Sequence, residues 1–158
     1  MKREMSAAAR AAKEIRQYLK EKGIAARVTS KNYSMGDNVN VYLTNQPPEV
    51  VKKIKDDCNK YQYGHFNGME DIYEYSNIQD DVPQTKFLFI NNELTDGIKQ
   101  SAWNYLRRHF SGFDELPENL GDVPPSTRIQ NSWHTDFIWR LLNGSLDEMS
   151  VQFWAKQV

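Results

Sequence analysis

Apolar residues recur at every third or fourth position near the start of the chain. Ala8, Ala11, Ala12, Ile15, Tyr18 and Leu19 form one stripe, the period of a helix with a single buried face. Ser6 stands where an N-cap belongs and Gly23 where the helix must stop, which predicts a first helix of about 17 residues. The period then changes from helical to alternating. Ala25 to Tyr33 alternates weakly and Asn38 to Asn45 strongly, with Val39, Val41 and Leu43 on one side and Asn40, Tyr42 and Thr44 on the other. Between them Ser34-Met35-Gly36-Asp37 is a turn signal, so the pair is expected to form a β-hairpin. Pro47-Pro48 sets the first turn of a second helix, whose inner face is Val50, Val51, Ile54 and Cys58, reaching to Tyr61.

Further along, Phe87-Leu88-Phe89-Ile90 runs without a polar interruption inside Lys86 to Asn91, the pattern of a central strand buried on both faces. Asn91 or Asn92 is expected to cap a third helix running to about Phe110, with Ile98, Ala102, Tyr105, Leu106 and His109 on one face. Ser111 to Asn131 contains Gly112, Pro117, Gly121, Pro124 and Pro125 and reads as a long loop. A short helix follows from Ser132 to Leu142, stopped at Gly144. The alternation of Met149, Val151, Phe153 and Ala155 favours a final strand. Together these elements predict an α+β fold: a small, mainly antiparallel sheet packed by helices, with a helical, aromatic-rich C-terminal extension. Residues 1–92 are expected to form the α+β module and 93–158 an extension packed on it as one compact unit.

Composition narrows the function classes. A chain of 158 residues, 12% aromatic and 26% charged, is an ordinary globular domain that can bury about 70% of its unfolded surface. No apolar run approaches the roughly 18 residues of a membrane span, and Lys2, Arg3 and Glu4 lead into alanines without a secretory signal, so a cytoplasmic protein without a membrane partner is expected. Cys58 is the only cysteine, which excludes an internal disulfide and points to a buried core thiol. The net charge of −1 hides a basic N-terminal part and an acidic stretch from Glu49 to Asp81. Arg10, Lys13, Arg16 and Lys20 share the outer face of the first helix, and Arg27 and Lys31 on the hairpin extend that patch toward a nucleic-acid-binding reading. A solvated face is the alternative.

Candidate chemistry is sparse. His65, His109 and His134 with Asp136 are the raw material for a metal site or a general base, but the close ligand spacing of such sites is absent. No nucleophile elbow, cysteine signature or phosphate-cradling glycine loop occurs, so no enzyme and no cofactor are expected. The densest segment is Tyr61 to Asn77, YQYGHFNGMEDIYEYSN, which fits neither a helix period nor strand alternation. Its aromatics are interleaved with acids, which repel phosphate and suit a protein partner better than nucleic acid. Tyr61, Tyr63, His65, Phe66, Glu70, Asp71, Tyr73 and Tyr75 are therefore the candidate partner-binding residues, with core closure by the same aromatics as the competing reading.

Three blocks carry a family resemblance: Ser30-Lys31-x-Tyr33-Ser34-x-Gly36-Asp37-x-Val39-Asn40-Val41, then Tyr61-Gln62-Tyr63-Gly64-x-Phe66-Asn67-Gly68-Met69-x-Asp71-x-Tyr73-x-Tyr75-Ser76-Asn77, then Asp80-Asp81-x-Pro83-Gln84-x-Lys86. Over roughly residues 12–91 the chain resembles the large polyvalent-protein-associated domain family number 29. That resemblance implies a phage, prophage or conjugative-element origin and carries over no catalytic residue. It suggests a non-enzymatic binding protein, an anti-CRISPR-like or anti-restriction inhibitor that occupies a host nuclease or surveillance complex. A nucleic-acid-binding accessory protein is the alternative.

Overall fold

The computed structural model describes residues 4–109, 128–129 and 132–157. They fall into two compact units, Met1–Glu93 and Leu94–Val158. In the first, helix α1 (Ala7–Glu21) is followed by strands β1 (Arg27–Tyr33) and β2 (Gly36–Thr44), helix α2 (Pro48–Cys58) and a 3-10 turn, Asn59–Tyr61. Short strands β3 (His65–Asn67) and β4 (Ile72–Glu74) and a third long strand, β5 (Phe87–Glu93), complete it.

Helix α1 begins and ends as its sequence dictates. Ser6 Oγ accepts the Ala9 N–H at 3.2 Å. At the other end Gly23 takes a φ of 71°, and the Gly23 and Ile24 N–H groups return to the Lys20 and Leu19 carbonyls, a Schellman closure. Ala8, Ala11 and Ala12 are fully buried, so the helix backbone lies close on the sheet. With Ile15 and Leu19 they pack on Val28, Val39, Val41 and Leu43, and Ile54, Cys58 and Tyr61 close the same core.

The expected hairpin forms, with β1 antiparallel to β2 from Arg27 opposite Tyr42 to Tyr33 opposite Gly36. Strand β5 joins β2 in parallel, Leu88 opposite Val39 and Ile90 opposite Val41. The sheet order is β1-β2-β5, so β5 is an edge strand and β2 the central one. This corrects the two-sided burial read from the apolar run. Helices cover one sheet face, against which Leu88 and Ile90 pack, while Phe89 on the other face is 47% exposed. Parallel pairing follows from the path through α2, the crossover that such pairing requires.

Asn92 does not cap the third helix. It clasps the turn after β2, accepting the Gln46 N–H at 3.0 Å and donating to the Gln46 carbonyl at 2.8 Å. Helix α3 (Asp96–His109) is capped instead by Thr95, whose Oγ1 accepts the Ile98 N–H at 3.4 Å. The second unit also holds the short pair β6 (Arg128–Ile129) and β7 (Ser132–Trp133), and helices α4 (His134–Leu142) and α5 (Glu148–Ala155). Its core gathers Ile98, Ala102, Trp103 and Leu106 with Ile138, Leu141, Phe153 and Trp154. The expected terminal strand is a helix. Ser150, Phe153 and Trp154 are buried at helical spacing and Val151 is exposed, and the Trp154 indole donates to the Leu142 carbonyl at 3.1 Å. The loop expected over Ser111 to Asn131 lies outside the described residues except for 128–129.

A hydroxyl–carboxylate bond ties α1 to α2: Tyr18 donates to Asp57, which also pairs with Lys53 at 3.3 Å. That hydrogen bond, then Lys53, holds the Asp57 carboxyl below its usual range, while burial and Asp57 push the Tyr18 phenol up. Because the folded carboxyl titrates lower than the unfolded one, the contribution is present above the unfolded pKa of roughly 4 and is lost as pH falls through the folded value. Tyr18→Phe is expected to lower the melting temperature at pH 7 and to match the parent protein in strong acid. Thermal melts of both at the two pH values check this; a gap that persists in acid contradicts it.

Candidate functional site

The segment from Tyr61 to Lys86 lacks long elements because side-chain amides satisfy much of its backbone. Gln62 Oε1 accepts the Leu88 N–H at 2.6 Å, and its Nε2 donates to the Gly64 carbonyl at 2.6 Å. Asn77 Nδ2 bridges the Asn59 and Gln62 carbonyls, both at 3.0 Å. Gln84 Nε2 donates to the Lys60 and Asn77 carbonyls, both at 2.8 Å. One Asp37 oxygen accepts from the buried Thr85 hydroxyl at 2.8 Å and from the Lys86 N–H at 2.7 Å, joining the start of β2 to the residues that lead into β5. Such bonds leave few backbone groups unpaired without requiring a helix or a long strand.

From this base rises the β3–β4 hairpin, His65 opposite Glu74, Phe66 opposite Tyr73 and Asn67 opposite Ile72. Asn67 Oδ1 accepts the Met69 and Glu70 N–H groups at 3.0 and 3.3 Å, and its Nδ2 holds Glu74 at 2.8 Å. Asp71 turns the chain with φ 53°, a left-handed conformation that aspartate tolerates better than most residues. Gly64 lies against the hairpin so closely that a Cβ there would sit 2.0 Å from the Glu74 carbonyl oxygen. The Tyr73 hydroxyl reaches the Lys86 carbonyl at 2.5 Å.

An aromatic ladder runs out of the hairpin onto the sheet. Tyr75 contacts Tyr63 and Tyr73 at 5.7 and 5.2 Å between ring centroids, Tyr73 meets Phe87 edge-on at 5.4 Å, and Phe87 stacks on Phe89 at 5.9 Å. Lys86 Nζ lies 5.1 Å from the Tyr73 ring centre. Burial, then its tyrosine neighbours, pushes the Tyr73 phenol up to about 12, and burial raises Tyr63 as well, so both stay protonated at neutral pH.

His65 makes two contacts, Nδ1 to Ser76 Oγ at 2.8 Å and Nε2 to Glu74 at 3.0 Å. Hydroxyl, imidazole and carboxylate in line can activate a serine, but such activation works where preorganised donors stabilise an oxyanion away from water. Here the His65 and Glu74 side chains are 53% and 38% exposed, and their contact is what cross-strand neighbours make. It ties β3 to β4. The groove lined by Lys55, Asn59, Gln62, Leu88 and Ile90 has a volume of about 180 Å³. Ligand pockets span roughly 300–1,000 Å³. Among the described residues no three His, Cys, Asp or Glu side chains converge as a metal site would need. The Cys58 thiol is buried, and burial pushes it up to about 11, which suits packing.

The residues singled out in the sequence are divided by the fold. Tyr61 is 6% exposed and belongs to the core, which removes it from the candidate surface. Tyr63 and Tyr73 are half-buried in the ladder; His65, Phe66, Glu70, Asp71 and Tyr75 are exposed on the hairpin. The basic patch is also divided. Arg10, Lys13, Arg16 and Lys20 are exposed on α1, and the Arg16 guanidinium donates to the Val28 carbonyl at 2.7 Å. Arg27 and Lys31 alternate with the buried Val28 and so lie on the sheet face that α1 does not cover. Trp139 is exposed on α4 while Trp154 is core; the side chains of Trp133, His134 and Asp136 lie outside the described residues. The sequence reading missed Asp37, Gln62, Asn77 and Gln84 as anchors, although the concentration of amides between Gln62 and Gln84 was a visible signal.

Among families of known proteins, the model of large polyvalent protein associated domain 29 matches residues 6–109. No curated protein and no solved structure matches the chain at a significant level.

Proposed function

The chain belongs to the large polyvalent protein associated domain 29 family, and from that membership we propose that it is a non-enzymatic binding protein of a mobile genetic element that inhibits a host defence complex by occupying its surface. The β3–β4 hairpin is the docking element. The observation that carries this reading is apolar exposure on a firmly anchored scaffold: Phe66 is 54%, Met69 98% and Tyr75 62% exposed, beside the acids Glu70 and Asp71. Exposed apolar residues grouped on an ordered element are the usual mark of a protein-binding surface, and aromatics supply its anchors. The flanking carboxylates favour a partner whose rim is basic, such as a nucleic-acid-handling complex, where they would stand in for phosphate.

The test is capture from a bacterial host lysate, paired with phage plating on cells that express the protein. Wild type is expected to retain a defence component and to raise plating. Phe66→Ser combined with Tyr75→Ser is expected to lose both, with at least a tenfold drop in capture, since anchors cost more than about 1.4 kcal/mol each when truncated. Recovery of no defence component together with unimpaired defence sinks the proposal.

A further inference from the structure

The sheet face that no first-unit helix covers differs in chemistry from the hairpin. We propose that this face binds single-stranded nucleic acid, with bases stacked on Phe89 and Tyr42 and phosphates held by Arg27, Lys31 and Lys86. Strand alternation sends Arg27 and Lys31 of β1, Tyr42 of β2 and Phe87 and Phe89 of β5 to the same side. Phe89 and Tyr42 are both exposed there. The Arg27 guanidinium lies over the Tyr42 ring, 4.2 Å from its centre, so the pair presents a base with the outer plane of a guanidinium already stacked on an aromatic ring.

Between the aromatic strand and the basic strand lie amides. Asn40 Nδ2 donates to Asn38 Oδ1 at 3.2 Å, which leaves donors and acceptors on both for base edges. Asn91 stands next to Tyr42 in the register of β2 with β5. Charge decides the occupant. Among the described strand residues pointing to this face the acid is Glu93, at the far end of β5, whereas Arg27 and Lys31 line the opposite edge and Lys86 sits over Phe87 at the rim. A sheet that interleaves exposed aromatics with cations and amides meets the requirements of single strands, whose unpaired bases stack and whose backbone is anionic. A duplex hides its bases and would use only the cations.

This surface adjoins the hairpin through the Tyr73–Phe87 contact, but Tyr42, Phe89, Arg27 and Lys31 belong neither to the hairpin nor to the outer face of α1, so loss of nucleic-acid binding in their variants would leave the reading of the hairpin intact. The test is fluorescence anisotropy with labelled oligothymidylate and oligouridylate of about 15 nucleotides, and with a duplex of equal length, at about 50 and 200 mM salt. The single strands are expected to bind, with affinity falling roughly tenfold or more over that salt range, and the duplex to bind more weakly. Phe89→Ala and Tyr42→Ala are each expected to weaken binding by about tenfold. Arg27→Gln is expected to flatten the salt dependence. Both aromatic positions are exposed, and a melting curve for each variant confirms the fold. Four outcomes overturn the proposal: no binding, equal affinity for duplex, unchanged affinity in both aromatic variants, or loss of binding only on combining Arg10→Ala, Lys13→Ala and Lys20→Ala. A protein ligand lost with Phe89→Ala in the absence of oligonucleotide binding overturns it as well.

Discussion

Gly64→Ala is expected to detach the β3–β4 hairpin and abolish capture of the hairpin's protein partner, while the α1–sheet core stays folded. A Cβ at this position would lie 2.0 Å from the Glu74 carbonyl oxygen and 2.5 Å from the Tyr73 ring. The first contact is with backbone, which cannot rotate away as a side-chain end could. Overpacking of this kind costs roughly 1–3 kcal/mol where the surroundings can shift. Here the shift available is the hairpin itself, which is short and held by Tyr73, His65 and Asn67. Moving it breaks the Tyr73 bond to the Lys86 carbonyl and opens the aromatic ladder at its middle. Amide hydrogen exchange reads the effect directly. Protection should fall across residues 65–74 and remain on α1 and β2; unchanged protection in the hairpin would show that the clash is absorbed elsewhere.

Asp37→Ala is expected to destabilise the whole first unit by about 3 kcal/mol, because hydrogen bonds to a charged acceptor are worth roughly 1.5–3 kcal/mol each and two are lost. Its carboxylate receives the Thr85 hydroxyl and the Lys86 N–H, and Thr85 is fully buried. Removing the acceptor leaves a buried hydroxyl without its short partner, the costly half of the asymmetry in hydrogen bonding. Asp37→Asn keeps one acceptor oxygen and should lose less. A double-mutant cycle with Thr85→Val isolates the coupling, since the two residues touch and their effects should not add. Urea denaturation of the four proteins gives the numbers, and a cost for Asp37→Ala within about 0.5 kcal/mol of zero would contradict the assignment.

Local signals made much of this fold legible. Ser6, Gly23, the hairpin turn and Pro48 each act within a few residues, so α1, the β1–β2 hairpin and α2 follow from short-range patterning. The misreadings have tertiary causes. The run Phe87-Leu88-Phe89-Ile90 carries no mark of how many layers will cover it, and with helices on one side only, half of it became an outer face. Met149 to Ala155 supports alternation on paper, yet packing against α3 and α4 of its own unit selects the helical set Ser150, Phe153 and Trp154. The candidate site was legible as a location, not as an arrangement. Within the three sequence blocks, Asp37, Gln62, Gly64, Asn67, Tyr73, Asn77 and Gln84 turn out to be anchors that shape the hairpin, while Phe66, Met69, Asp71 and Tyr75 project from it. Periodicity cannot separate these two roles, because an amide that satisfies a distant carbonyl leaves no period in the sequence.

The parallel seat of β5 beside β2 also sets a timetable. Ladder partners such as Val39 and Leu88 are far apart along the chain, and the closure entropy for joining them must be met before Leu88 and Ile90 reward it. The α1 helix and the β1–β2 hairpin, built from near neighbours, can form while the ribosome is still adding residues; β5 cannot dock until its own stretch has emerged. Docking of this strand is therefore expected to be the slow event, and during synthesis the flank of β2 that will receive it is an open edge on which a second nascent copy could pair.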